Sequence, residues 1–181
     1  MDTRRTVLTA SLIALNLALG KTAASLSLPI YLDTIGTIIA GAILPWPYAV
    51  MVGASTSSVA GVVIHPAFPY YAGTQSVIAL LSVGLLKLGA YKRITTSLLA
   101  GCCIALTATI VSAPITVLVF GGMTLSGTTA INGLLIASGQ TIWKAVLGGS
   151  IVIESIDKIA ASLLAWVVLK RLPSELLRNA D

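Results

Sequence analysis

Glu154, Asp157 and Lys158 are spaced i, i+3 and i+4, so a helix puts all three on one face and lets Glu154 pair with Lys158 in the favourable direction. They open an apolar run, IAASLLAWVVL, that closes on Lys170 and Arg171. The stretch from Glu154 to Arg171 is one helical crossing of a bilayer, which predicts the triad near one membrane surface and the basic pair near the other. Two uses fit such a triad. Ionisable groups within a membrane helix mark ligand or ion sites, and a pair near the surface also serves as a salt bridge that tethers a helix end. A third use, Glu154 and Asp157 as the acid/base pair of a membrane enzyme, has no supporting motif, since the chain lacks HExxH, GxSxG and CxxC. His65 is the only histidine, too few for an imidazole metal site, so neither a metal nor another cofactor is expected.

The composition says where these residues live. With 56% apolar and 9% charged residues and a mean hydropathy of +0.98, the chain reads as a polytopic membrane protein. Its 181 residues accommodate five or six helices in a single transmembrane domain over 1–181 and leave no room for a soluble module. Any energy source must then be external. The net charge of +5 comes from residues at predicted helix ends, as the positive-inside rule requires, and nucleic-acid binding is not expected. Adjacent Cys102 and Cys103 suit neither a disulfide framework nor a metal site and read as small packing residues. Arg4, Arg5 and the apolar run after them resemble a signal peptide, but a retained first helix is the expectation. Gly20-Lys21-Thr22 ends like a phosphate-binding loop, yet Leu15 stands where its first glycine belongs and no strand precedes it, so ATP binding is not expected.

A first span is predicted over about 6–22. In it Ala10, Ala14 and Ala18 form a small-residue stripe that lets another helix approach closely, with Asn16 pointing away towards an interhelical hydrogen bond. Residues 23–32 form a loop, and Asp33 is placed to cap a short second helix running to Leu44 before Pro45-Trp46-Pro47. A third span, Tyr48 to Ile64, carries a Gly53, Ser57, Gly61 stripe. His65-Pro66-Ala67-Phe68-Pro69-Tyr70-Tyr71 is either a binding loop or an aromatic belt at a membrane surface. A fourth span covers about 73–89 with Gln75 near its outer end. A fifth covers about 94–120, with Gly101, Ala105, Thr109 and Ala113 at i+4 spacing and a kink at Pro114. The polar stretch from Gly121 to about Lys144, which includes Ser126, Asn132 and Trp143, reads as a long loop with a short helix.

Counting from a cytoplasmic N-terminus, Arg4, Arg5, Lys87, Lys92, Arg93, Lys170, Arg171 and Arg178 fall inside, eight of the 11 basic residues. The expected fold is an all-α, six-helix transmembrane bundle, multi-pass in a prokaryotic cell membrane with both termini cytoplasmic. The first loop, the His65–Tyr71 loop, Gln75, Asn132 and the Glu154 triad gather on the outer side, which predicts an outward-facing ligand pocket.

On these features the whole chain resembles the substrate-binding S components of energy-coupling factor (ECF) transporters, the vitamin-uptake branch of the ABC transporters. The resemblance is carried by the Ala10, Ala14, Ala18 stripe, by the segment from Pro29-Ile30-Tyr31-Leu32-Asp33-Thr34-Ile35-Gly36 to Pro45, and by Ile156-Asp157-Lys158-Ile159-Ala160. It implies a non-enzymatic subunit that captures a small water-soluble vitamin or precursor at the outer face. Its alanine stripe would dock on a transmembrane coupling (T) subunit driven by two cytoplasmic ATPases. The pattern is nearest to members handling vitamin B6 or hydroxymethylpyrimidine. For such rings Tyr70, Tyr71 and Trp143 are candidates for stacking, and Gln75, Asn132, Asp157 and Lys158 for polar contacts, with Tyr31, His65 and Glu154 beside them. A transmembrane sensory module and a small integral-membrane lipid enzyme are the competing readings.

Overall fold

The computed structural model describes residues 3–124 and 127–173 and is all-helical, with no β-strand among them. Seven α-helices occur among the described residues: α1 (Thr3–Ser25), α2 (Ile35–Ile43), α3 (Trp46–Val63), α4 (Ala72–Lys87), α5 (Ile94–Leu118), α6 (Gly127–Ala137) and α7 (Ile142–Arg171). A 3-10 turn, Phe68–Tyr71, joins α3 to α4. Arg178 and Ser126 lie outside the described residues. Among the described residues two helices, α1 and α5, are long and apolar enough to cross a membrane.

The bundle is built around its shortest α-helix. All nine residues of α2 are buried, and α1, α3, α4 and α7 surround it. Its sequence, IGTIIAGAI, is apolar on every side, as a fully enclosed helix must be. Close approach is provided by glycine: a Cβ on Gly36 would strike the Leu12 carbonyl oxygen, and one on Gly41 would lie 2.9 Å from the Ser82 Cβ. The predicted small-residue stripes on α3 and α5 turn inward. Gly53 packs on the backbone of Gln75, and Gly101 on Ile159, whose Cα would be 2.7 Å from an added Cβ.

The stripe on α1 does the opposite. Ala10, Ala14 and Ala18 are exposed, while Thr9, Leu12, Asn16, Gly20 and Ala23 form the buried face. Asn16 is wholly buried and fully used. Its Oδ1 accepts from Gly36 N–H at 2.6 Å, and its Nδ2 donates to the Thr37 and Thr56 hydroxyls at 3.0 and 3.1 Å. One side chain thus ties α1, α2 and α3 and occupies one of the orphan amides at the start of α2.

Three expectations are corrected. The last helix begins at Ile142, so Trp143 and Lys144 stand in its first turn rather than in a loop, and the triad is near its middle rather than at its start. Thr34, not Asp33, is the residue preceding α2, and no side chain caps that helix in the usual way. Cys102 and Cys103 are exposed on α5 rather than packed inside it.

Candidate functional site

The buried face of α7 repeats every three or four residues through Ala145, Gly149, Ile153, Glu154, Asp157, Lys158, Ala161 and Ala165. The ionisable triad therefore sits in the same stripe as the apolar packing residues and is carried into the interior by it. Burying charge is costly unless each group finds partners. Lys158 Nζ donates to Asp157 Oδ2 at 2.5 Å and to Thr34 Oγ1 at 2.9 Å, and lies 3.3 Å from Glu154 Oε2 and 3.8 Å from Asp33 Oδ1. It also faces the Tyr31 ring, 5.7 Å from its centroid.

Thr34 is the hub of this arrangement. Its hydroxyl donates to Asp33 Oδ1 at 2.9 Å and accepts from both Lys158 Nζ and Gln75 Nε2, the latter at 3.3 Å. That spends its one proton and both lone pairs. With its proton committed to Asp33, Thr34 can only accept from Gln75. The Gln75 amide is thereby oriented NH2-first towards Thr34, and Gln75 Oε1 is left without a partner.

Above the cluster is a cavity of about 440 Å³, within the usual range for small-molecule sites. Its wall is drawn from α1, the segment between α1 and α2, and α3, α4, α5 and α7, with Thr124 and Thr128 at one side. Aromatic and apolar groups, among them Tyr31, Phe68, Tyr71 and Ile78, alternate with polar ones. Three polar atoms of wall residues at most 8% exposed have no hydrogen-bond partner, Ser57 Oγ, Thr74 Oγ1 and Gln75 Oε1, and a fourth, Glu154 Oε2, is held only by its ion pair with Lys158. Buried polar groups are normally satisfied, and these atoms belong to residues that line one cavity, so a polar occupant reached by small side-chain movements would complete them. At the aromatic end, Tyr71 hydrogen-bonds Thr116 at 2.8 Å, and burial pushes its hydroxyl above the ordinary tyrosine pKa.

Of the sequence-predicted residues, Tyr31, His65, Tyr71, Gln75, Glu154 and Lys158 line this cavity. His65 is engaged locally, its Nδ1 accepting from Ala67 N–H at 3.2 Å. Asp157 is fully buried and is not on the wall, because Oδ1 is taken by Tyr31 N–H at 3.0 Å and Leu32 N–H at 2.7 Å and Oδ2 by Lys158. Tyr70 packs edge-on against Phe120, with centroids 5.2 Å apart, and is largely exposed. Trp143 is 44% exposed on the first turn of α7. Asn132 is buried between α6 and α7, donating to the Gly122 carbonyl at 2.9 Å. Sequence reasoning overlooked Asp33, Thr34, Ser57 and Thr74 as wall or cluster residues. The Gly53, Ser57, Gly61 stripe was the one available signal, and it pointed to helix packing.

Arg5 and Lys170 stand on helix ends away from the cavity, whereas Lys21, Lys144 and Lys158 do not. Arg5 lies over the Tyr48 ring at 6.0 Å, Lys170 over Trp166 at 4.2 Å, and the Ala90–Tyr91 turn between α4 and α5 packs into one core with Ala165 and Leu169. No protein-family model, curated protein or solved structure matches the chain.

Proposed function

We propose that this protein is the substrate-binding membrane subunit of an ECF-type transporter, capturing a small water-soluble vitamin or precursor and passing it on through a coupling subunit driven by partner ATPases. The observation that carries this reading is the 440 Å³ cavity lined by aromatic side chains and by residues with three unpartnered buried polar atoms, beside the Glu154–Lys158 ion pair. A pocket of this kind suits a small ring with polar substituents, of which pyridoxine and hydroxymethylpyrimidine are the leading examples. In the membrane, α1, α3, α4, α5 and α7 are the crossing helices. The sixth crossing is composite: the irregular segment of residues 28–34, then α2. Nine helical residues rise only about 13 Å, less than half the hydrocarbon thickness. Irregular backbone at membrane depth is tolerated where it is enclosed by protein and lines a cavity, as this segment does. The end that carries Arg5 and Lys170 faces the cytoplasm and the cavity faces outward.

The exposed alanines of α1 supply the docking face for the coupling subunit, since a stripe that is small and unpartnered within its own bundle suits close approach by another helix. Two measurements test the proposal. Mass spectrometry of small molecules retained by the detergent-purified chain is expected to find a vitamin-sized ring compound, released on denaturation. Ala14→Trp is expected to leave that retention intact and to abolish co-purification with the coupling subunit and ATPases. A preparation that retains nothing, or an Ala14→Trp variant that assembles and transports normally, overturns it.

A further inference from the structure

The cavity's charge is unbalanced. Among the described residues on its wall, Lys158 is the one lysine or arginine, and it is shared among three carboxylates, those of Asp33, Glu154 and Asp157. With all four ionised, the cluster keeps an excess of two negative charges within a buried site. The lysine cannot serve all three equally. Its hydrogen bonds go to Asp157 and Thr34, and Glu154 Oε2 is left as a close ion-pair partner with no hydrogen bond of its own. Lys21, at the end of α1, is exposed and donates instead to the Val63 carbonyl at 2.9 Å.

The unpartnered atoms have a consistent polarity. Glu154 Oε2 accepts whenever that carboxyl is ionised, as a cationic occupant would keep it, and so does Gln75 Oε1, because Thr34 fixes that amide. Ser57 and Thr74 hydroxyls accept as readily as they donate. None of the four is an obligate donor. An occupant rich in N–H donors and carrying positive charge satisfies the acceptors and the surplus charge together, and the rings of Tyr31, Phe68 and Tyr71 suit the aromatic body to which such a group is attached.

We propose that the cavity selects an organic cation, a small aromatic or heteroaromatic amine whose protonated nitrogen is received by Glu154 and Gln75. This rests on the reading of the cavity as a ligand site and narrows its substrate class. An inorganic cation could supply the same charge, but the aromatic wall favours an organic one, and among the described residues no group of three His, Cys, Asp or Glu side chains converges as metal ligands do.

The test uses the full chain in detergent and two matched probe series: pyridoxamine, pyridoxine and 4-pyridoxate, then benzylamine, benzyl alcohol and benzoate. Within each series the ring is constant and the substituent is an ammonium, a neutral alcohol or a carboxylate. Calorimetry and thermal shift are expected to show an amine bound at least tenfold more tightly than its alcohol, with no binding of the carboxylate. Glu154→Gln, an isosteric change, is expected to erase the amine's advantage by weakening the amine at least tenfold more than the alcohol. Equal or tighter binding of an alcohol or carboxylate, no binding of either amine, or the same thermal shift from sodium or magnesium chloride alone overturns the proposal. Failure to associate with a coupling subunit would remove the transporter reading and leave the amine preference standing. Loss of the preference with association intact would do the reverse.

Discussion

Asp157 holds the backbone of Leu32 in place from 125 residues away: one carboxylate oxygen accepts the Leu32 and Tyr31 amide hydrogens while the other accepts from Lys158. Leu32 needs holding. Its φ of 51° is in the left-handed region, which a bulky L-residue rarely enters, and its amide belongs to no helix or strand. Asp157 itself is fully buried, roughly 20 Å from either end of α7, and its carboxylate supplies the acceptor that the segment lacks. The residue that looked most like a ligand acceptor is instead the fastener of the segment that forms one side of the cavity.

Asp157→Ala is accordingly expected to destabilise the chain by about 3–5 kcal/mol, because it strands two amides and unbalances a buried lysine. Asp157→Asn keeps an acceptor for the amides and should cost less. Thermal unfolding in detergent measures both. Ligand affinity per folded molecule should change little, and a large loss of affinity without loss of stability would return Asp157 to the binding wall.

Asn16→Leu should cost about 1–3 kcal/mol, since it fills the space but leaves the Gly36 amide without its acceptor and two threonine hydroxyls without their donor. A neutral outcome in the same unfolding assay would mean that α2 does not depend on α1 for its first turn.

Two glycine substitutions should have opposite signs. Gly101→Val drives a side chain into the Ile159 backbone and is expected to cost about 1–3 kcal/mol through separation of α5 from α7. Gly84→Ala, in a helix and with nothing within 4 Å of the new Cβ, should stabilise by about 0.5–1 kcal/mol. Their thermal midpoints, compared with that of the parent chain, check the packing of both helices.

Cys102 and Cys103 stand on the outer face of α5 beside exposed Leu99 and Leu106. In a bilayer that face meets lipid, so a membrane-impermeant maleimide should label neither cysteine in intact vesicles and both after unfolding in detergent. Rapid labelling in vesicles would show that this face of α5 is in water.

Most of the helical layout was legible because apolar runs broken by Pro45-Trp46-Pro47, by Lys92-Arg93 and by the glycines near residue 121 leave few alternatives. The start of α7 was not, because Gly148-Gly149-Ser150 looks like a break in sequence. In the fold Gly149 lies against Asn132, where a Cβ would strike the amide oxygen. The inward Gly101 stripe and the outward Ala14 stripe were visible as stripes, but nothing in their composition distinguishes a face used within the bundle from one left bare. Asp33 was missed for a different reason. A lone carboxylate before a helix usually caps it, and the partner that draws Asp33 elsewhere, Lys158, is on the last helix. Ties between a side chain and distant backbone amides leave no periodic trace at all.

The Asp157–Leu32 fastening also has a consequence for biogenesis. Synthesis proceeds from the N-terminus, so residues 28–34 leave the ribosome long before their carboxylate partner exists, and the α1–α2 region must wait with unsatisfied amides until α7 arrives. Contacts so far apart in sequence close late and slowly. A chain stalled or cut before α7 would therefore be a target for membrane quality control at its beginning rather than at its unfinished end, and proteolysis of such truncations should fall between α1 and α2.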